Sequence, residues 1–158
     1  MIHPSAIIYD NVTIEEDVYI GAYCIIGAPP EWKGKEDLDN KGVLIKKGTR
    51  ITGLVTIDAG VNSQTIIGEN CYLMKHSHVG HDAELGNNVV LSCGAKIGGH
   101  SIIGEGTNIG LNAVIHQKLS VPEGCMIGAS AFVGKKSVLR PKHKYAGVPV
   151  KEIGKNER

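Results

Sequence analysis

An aliphatic residue occupies every sixth position from Ile67 to Val133: Ile67, Leu73, Val79, Leu85, Leu91, Ile97, Ile103, Ile109, Ile115, Val121, Ile127 and Val133. The same period appears upstream as Ile8, Ile14, Ile20, Ile26 and again as Ile45, Ile51, Ile57. Neither the helical nor the ordinary strand period gives a clean six. A hexapeptide period signals a parallel β-helix. Each hexad predicts one short flat strand and a turn, and three hexads close a triangular coil. The aliphatic points into the prism. Four positions later a small residue, such as Cys71, Ser77, Ala83, Ala95, Ser101, Ala113 or Cys125, fills the space beside it. Gly often follows the aliphatic, as at Gly21, Gly68, Gly80, Gly86, Gly98, Gly104 and Gly110, where it is expected to permit turn geometry that a Cβ resists.

Stacked coils pair strand to strand about 4.8 Å apart, so residues eighteen apart lie one above the other and about six coils make a prism roughly 30 Å tall. Such prisms are left-handed in known families, an exception to the right-handed crossover rule. The expected fold is all-β: a left-handed parallel β-helix over residues 1–139 with two loop insertions, followed by a basic C-terminal tail over 140–158. The repeat breaks at 28–42 (APPEWKGKEDLDNKG) and at 59–65 (AGVNSQT), and both segments read as loops leaving the prism. Long loops in a compact domain are often functional. Trp32, the only tryptophan, sits in the first loop and suits a ligand contact or a subunit interface. In the tail, VKEIGKNER reads as a short helix.

Composition narrows this picture. The chain has 158 residues, which suits one domain. A net charge of +1 gives no sign of a nucleic-acid partner. The distribution is more telling. Asp10, Glu15, Glu16 and Asp17 make the beginning acidic, whereas eight Lys or Arg follow from Lys135 onward against Glu152 and Glu157. A basic end suits an anionic ligand such as a phosphate group, with a solvated tail as the alternative. No stretch has the organisation of a signal peptide or the length of a membrane span, which gives a cytoplasmic expectation. Cys24, Cys71 and Cys125 fall on the small interior position and read as reduced packing residues. A prism this size exposes flat faces, and a homotrimer would cover one per subunit.

Four of the seven histidines, His76, His78, His81 and His100, lie within one and a half coils. Stacking by eighteen puts His81 beside Gly99 and next to His100, and His116 against Gly98. Two chemistries could use such a cluster. The first is zinc: His76 and His81 have the H-x4-H spacing of γ-class carbonic anhydrases. Those need a third histidine from an earlier coil, and none lies between His3 and His76. The second is general-base catalysis, in which a histidine takes a proton from a hydroxyl or amine as it attacks a thioester. Asp82 could orient His81 if the chain turns there, since neighbours on a strand point to opposite faces. Backbone N–H groups at Gly98 and Gly99 could hold the oxyanion.

The stretch Tyr72–Gln117 (YLMKHSHVGHDAELGNNVVLSCGAKIGGHSIIGEGTNIGLNAVIHQ) resembles the UDP-N-acetylglucosamine acyltransferase family of lipid A biosynthesis. The matching motif is H-x-x-H-D, then G-H, then A-V-I-H-Q. The opening His3–Gly27 is similar as well. The resemblance implies a trimer with each site between two subunits. It also implies His81 as catalytic base, Gly99 as the oxyanion glycine, His78 and His100 as substrate contacts, and His116 and Gln117 as residues lining the cleft. The C-terminal helical domain of that family has no counterpart in these residues. Lys144–Gly154 (KYAGVPVKEIG) is instead similar to the tail of hexapeptide acetyltransferases that use acetyl-CoA. That second resemblance implies Gly128, Ala129, Lys135, Lys136, Arg140 and Lys142 as CoA contacts.

Together these imply an acyltransferase moving an acetyl or short acyl group from acyl-CoA to a hydroxyl or amine of a nucleotide-linked sugar, without a metal. Nucleotide-sugar N-acetyltransferases share both features. The alternatives are long-chain transfer from acyl carrier protein to UDP-N-acetylglucosamine, a zinc lyase of the γ-carbonic anhydrase type, and a non-catalytic assembly subunit.

Overall fold

The structure, a computed structural model, describes residues 1–35 and 39–157. The hexads do form short strands, and every third one joins the same parallel sheet. The first sheet runs from Ile7–Ile8 through Ile25–Ala28, Thr56–Asp58, His78–Val79, Lys96–Ile97 and Val114–Ile115 to Phe132–Val133. The second runs from Val12–Ile14 to Ser120–Val121, and the third from Tyr19–Ile20 to Met126–Ile127. Six full coils result, with the start of a seventh. The architecture is an all-β parallel β-helix, consistent with a left-handed wind, and no α-helix occurs among the described residues. No helix there is long and apolar enough to cross a membrane.

The register follows the repeat. Val79 pairs with Ile97, Ile97 with Ile115, and Ile115 with Val133, each eighteen residues on. Their side chains are buried in one continuous core with the small residues, including Cys24, Cys71 and Cys125. At three polar small positions the hydroxyl donates to a carbonyl, Thr49 to Gly68, Thr107 to Pro122 and Ser101 to His116, whereas the buried Ser77 hydroxyl has no partner among the described residues. Those bonds remove the cost of burying an unpaired hydroxyl.

The glycine after the aliphatic has a different reason from the one the pattern suggests. Of the glycines in that position, only Gly27 has a positive φ. Most of the others are small because coils approach backbone to backbone. A Cβ on Gly98 would stand 2.4 Å from the Gln117 nitrogen, and one on Gly68 2.5 Å from the Gly86 oxygen. The left-handed residue falls two positions further on, three after the aliphatic: Asn70, His76, Asp82, Asn88, His100, Asn112 and Lys118 all have φ between 53° and 62°. Asn and Asp tolerate that region best among residues with a side chain.

Both interruptions are loops. The first leaves after Ile25–Ala28 and returns at Val43–Ile45; residues 36–38 of it lie outside the described set. The second is shorter than expected, because Thr65 already belongs to the strand Thr65–Ile67 and is fully buried.

The short helix expected near the end is absent. Lys151–Lys155 is a strand, paired antiparallel with His143–Ala146, which in turn adds to the third sheet beside Met126–Ile127. The open end of a β-helix offers unpaired backbone groups, and a hairpin satisfies them where an isolated helix would not. Tyr145 fills the end of the core, and its hydroxyl accepts the Arg140 N–H at 2.7 Å.

Candidate active site

The chemistry gathers at the corner where the first sheet turns toward the second. The strand His78–Val79 ends there in Gly80, His81 and Asp82, and the turn that the sequence required is present, with Asp82 at φ 58°. It brings His81 Nδ1 to 2.8 Å from Asp82 Oδ2.

Asp82 is held by the second loop. The backbone N–H groups of Val61, Asn62 and Ser63 donate to its carboxylate at 2.9, 2.7 and 2.7 Å, and its own N–H donates to Thr65 Oγ1 at 2.9 Å. Burial pushes its pKa up, but the bonds from Ser63, Val61, His81 and Asn62 outweigh burial and set it at about 2. An ionised carboxylate only accepts, so His81 Nδ1 carries the proton and Nε2 presents a lone pair. The face of the ring packs against Gly99: a Cβ there would sit 2.7 Å from Nε2, 2.9 Å from Cε1 and 3.2 Å from Cδ2. No group among the described residues accepts the Gly99 N–H.

The depressed pKa makes an acid-stability prediction. Asp82 contributes fully above its ordinary value of 3.8, and the contribution is lost as pH falls through 2. The size is on the order of 2 kcal/mol. Urea unfolding of wild type and Asp82→Asn should therefore differ most above pH 5, with the gap closing by about that amount near pH 2. A gap that stays constant with pH would show that the carboxylate is not held as described.

Trp32 covers His81. The two rings stack with centroids 5.2 Å apart and planes 24° apart, and Trp32 also meets the edge of His100 at 6.2 Å. Glu31, Trp32, His81, His100, Gln117 and Lys118 line a cleft of about 200 Å³. A ligand reaching Nε2 must therefore move or touch the indole. As the only tryptophan, Trp32 should change its emission saturably when an acceptor binds, and His81→Ala should change it without ligand. A spectrum insensitive to saturating acceptor would place Trp32 off the ligand path.

The histidines that the sequence grouped are distributed. His81 and His100 meet edge to face at 5.0 Å, and His100 Nε2 is buried 3.8 Å from Asp82 Oδ2, without a hydrogen bond among the described residues. His78 belongs to a neighbouring cavity, where its Nδ1 lies 2.8 Å from Thr56 Oγ1 and its Nε2 3.8 Å from Asp58. His116 turns away toward Phe132, while Gln117 reaches the cleft. His76 sits at the other end of the strand His78–Val79, in a different corner from His81. The donor atoms that do converge, within 4.8 Å of one another, are those of His81, Asp82 and His100.

Above the cleft the same corner continues as Lys118 and then Lys136, each eighteen residues on. Lys135 and Lys136 line a largely apolar cavity of about 450 Å³ with Phe132, Gly134, Ser137, Val148 and Pro149. Of the other residues suggested for CoA, Gly128 packs against Ala146 and Tyr145 of the end hairpin, with Ala129 following it. The Arg140 guanidinium is committed to Glu152 through two bonds of 2.8 and 2.6 Å. Lys142 stacks above Gly124 in the next corner.

Sequence reasoning gave no role to Asp58, Glu31 or Lys118, or to the backbone of residues 61–63. Lys118 was accessible to the eighteen-residue rule applied to His100. The others lie in or beside loops that shift the register.

Comparison with known proteins agrees with the repeat. The model of the bacterial transferase hexapeptide (six repeats) matches residues 64–99, and that of the hexapeptide repeat of succinyl-transferase matches residues 11–29. Residues 11–29 and 64–99 are thus hexapeptide repeats of the kind those models describe. It is 43% identical over 120 residues to the acyl-[acyl-carrier-protein]–UDP-N-acetylglucosamine O-acyltransferase of Campylobacter lari, covering 73% of this chain and 46% of that protein. The chain thus spans about half the length of the relatives it matches. Among solved structures, UDP-N-acetylglucosamine acyltransferase from Campylobacter jejuni superposes with a TM-score of 0.81 at 26% identity, over 99% of this chain and 75% of that one. A perosamine N-acetyltransferase variant from Caulobacter crescentus, in complex with CoA and GDP-perosamine, superposes with a TM-score of 0.60 at 22% identity, over 97% and 55%.

Proposed function

We propose that this chain transfers an acyl group from a thioester to a nucleotide-linked sugar, with His81 as general base. The observation that carries the proposal is the His81–Asp82 pair, whose imidazole lines a cleft and packs against Gly99, a residue whose N–H has no acceptor among the described residues. An acceptor O–H or N–H gives its proton to Nε2 as its heteroatom bonds to the thioester carbon. The Gly99 N–H receives the carbonyl oxygen as it becomes an oxyanion. Collapse breaks the C–S bond, and the thiolate leaves with the proton from His81. Asp82 stays ionised throughout and stabilises the imidazolium, and no metal enters the step.

The donor we assign is an acyl-CoA carrying an acetyl or short acyl group. Lys136 stands three coils above Asp82, about 14 Å at the spacing of paired strands. That distance suits an extended pantetheine arm, with its thioester at His81 and its phosphates at Lys135 and Lys136. The apolar wall of Phe132, Val148 and Pro149 suits the arm between them. A second reading, an acyl carrier protein as donor, is favoured by the names of the relatives. Exposed apolar side chains on the first and second sheets, Ile7, Ile25, Val114 and Ile102, suit burial between copies in a trimer.

The test is thiol release from acetyl-CoA, longer acyl-CoA and acyl-[acyl carrier protein] across a panel of nucleotide sugars. Turnover with a CoA donor supports the assignment. Turnover with the carrier protein alone transfers the donor to the second reading. Silence with every pair would remove the acyltransferase proposal.

A further inference from the structure

Two buried aspartates stand near His81, and the protein treats them oppositely. Asp82 is saturated with short hydrogen bonds. Asp58, also only 5% exposed, receives among the described residues just the Glu31 N–H at 3.5 Å, with His78 Nε2 at 3.8 Å. Both distances exceed the roughly 2.7–2.9 Å of a charge-assisted bond. A buried carboxylate so poorly paired is costly unless something else completes it.

Asp58 lines a cavity of about 500 Å³ with Ile25, Ala28, Glu31, Thr56, His78 and Lys96. Glu31 borders both this cavity and the His81 cleft, so the two spaces are adjacent. The cavity holds two carboxylates. Its one lysine, Lys96, donates to the carbonyls of His76 and Gly94. Burial first, and the nearby Glu31 as well, push the Asp58 carboxyl up, while burial pushes the His78 imidazole down. The balance of fixed charge is negative, and a bound hydroxyl would leave it so. A cation with several N–H donors would both neutralise it and fill the missing bonds.

We infer that this cavity is a subsite for the protonated amino group of the acceptor, held by Asp58 with Glu31, so that the acceptor is an amino sugar and the product an amide. The inference rests on the acyl-transfer reading above. The step balances as R–NH3⁺ plus thioester giving amide, free thiol and one proton. The ammonium first releases a proton to solvent through the carboxylate pair. The neutral amine then attacks the thioester carbon, and His81 moves a second proton from nitrogen to the departing sulfur.

Calorimetry without donor tests the subsite apart from turnover. GDP-perosamine is compared with GDP-rhamnose, and UDP-glucosamine with UDP-glucose, so that in each pair a hydroxyl replaces the amine. At least one amino sugar should bind roughly ten- to a hundredfold more tightly than its twin, the range of a charged hydrogen bond. Asp58→Asn should erase that preference, and Glu31→Gln should reduce it. Equal affinities within both pairs, or a preference that survives both substitutions, would overturn the inference even if the enzyme transfers acyl groups to hydroxyls. An amine preference without thiol release from any donor would uphold the subsite and remove the acyl-transfer reading.

Discussion

Replacing His81 with alanine should lower turnover by roughly 10²–10⁴, the usual range for loss of a general base. The fold should survive the change. His81 lies outside the aliphatic core, and the loop at 61–63 is fastened by Asp82 rather than by the imidazole. Removing the ring also takes away the partner on which Trp32 stacks, so acceptor affinity and tryptophan emission should both change. Donor affinity should change little, because the lysines proposed to hold it stand three coils away. Steady-state kinetics with a matched unfolding curve make the check. A folded His81→Ala protein with wild-type turnover would remove the base assignment. Loss of turnover caused by unfolding would show instead that the corner is structural.

How much of this could be read from the chain depends on where the repeat runs unbroken. From Ile67 to Val133 each side chain's place follows from its position in the hexad, and the stacking of His81 beside Gly99 is a consequence of counting eighteen. The loops break that count. Ile45 pairs with Ile67, four residues beyond the repeat, so nothing in the numbering shows that residues 61–63 fold back onto Asp82. Likewise Ile26 pairs with Ile57 across the long first loop, which hides the return of Trp32 to His81 and the meeting of Glu31 with Asp58. The tail misled for a related reason. Its charged sequence is compatible with a helix, but the decisive force is the open edge of the third sheet, which a local pattern does not contain. The histidine cluster was legible as a group and only partly as a site. Position within the hexad separates them: His81 and His100 occupy the corner, His78 the strand, and His116 the position just after the aliphatic.

Gly99→Ala should be nearly as damaging as loss of the base, through geometry alone. The three atoms nearest an added Cβ all belong to the His81 ring, at 2.7, 2.9 and 3.2 Å. Gly99 has no positive φ, so alanine brings no backbone strain, and no main-chain atom is among those three. The imidazole has to give way, and it cannot do so freely. Its Nδ1 is tied to Asp82 at 2.8 Å, and Asp82 is fixed by three backbone donors. Displacing Nε2 therefore weakens the hydrogen bond that sets the tautomer, while the new methyl crowds the space where the oxyanion would meet the Gly99 N–H. Loss of one oxyanion donor alone costs about 10²–10³ in turnover. The expected result is a folded protein, destabilised less than Gly98→Ala, with kcat reduced by at least that range and donor KM little altered. A second measurement keeps the cause clear: Gly98→Ala, one residue earlier, drives a Cβ to 2.4 Å from the Gln117 nitrogen and should lower the melting temperature. If Gly99→Ala instead loses stability in the same way while its surviving folded fraction keeps full turnover, the residue serves coil stacking, and the oxyanion role falls with it.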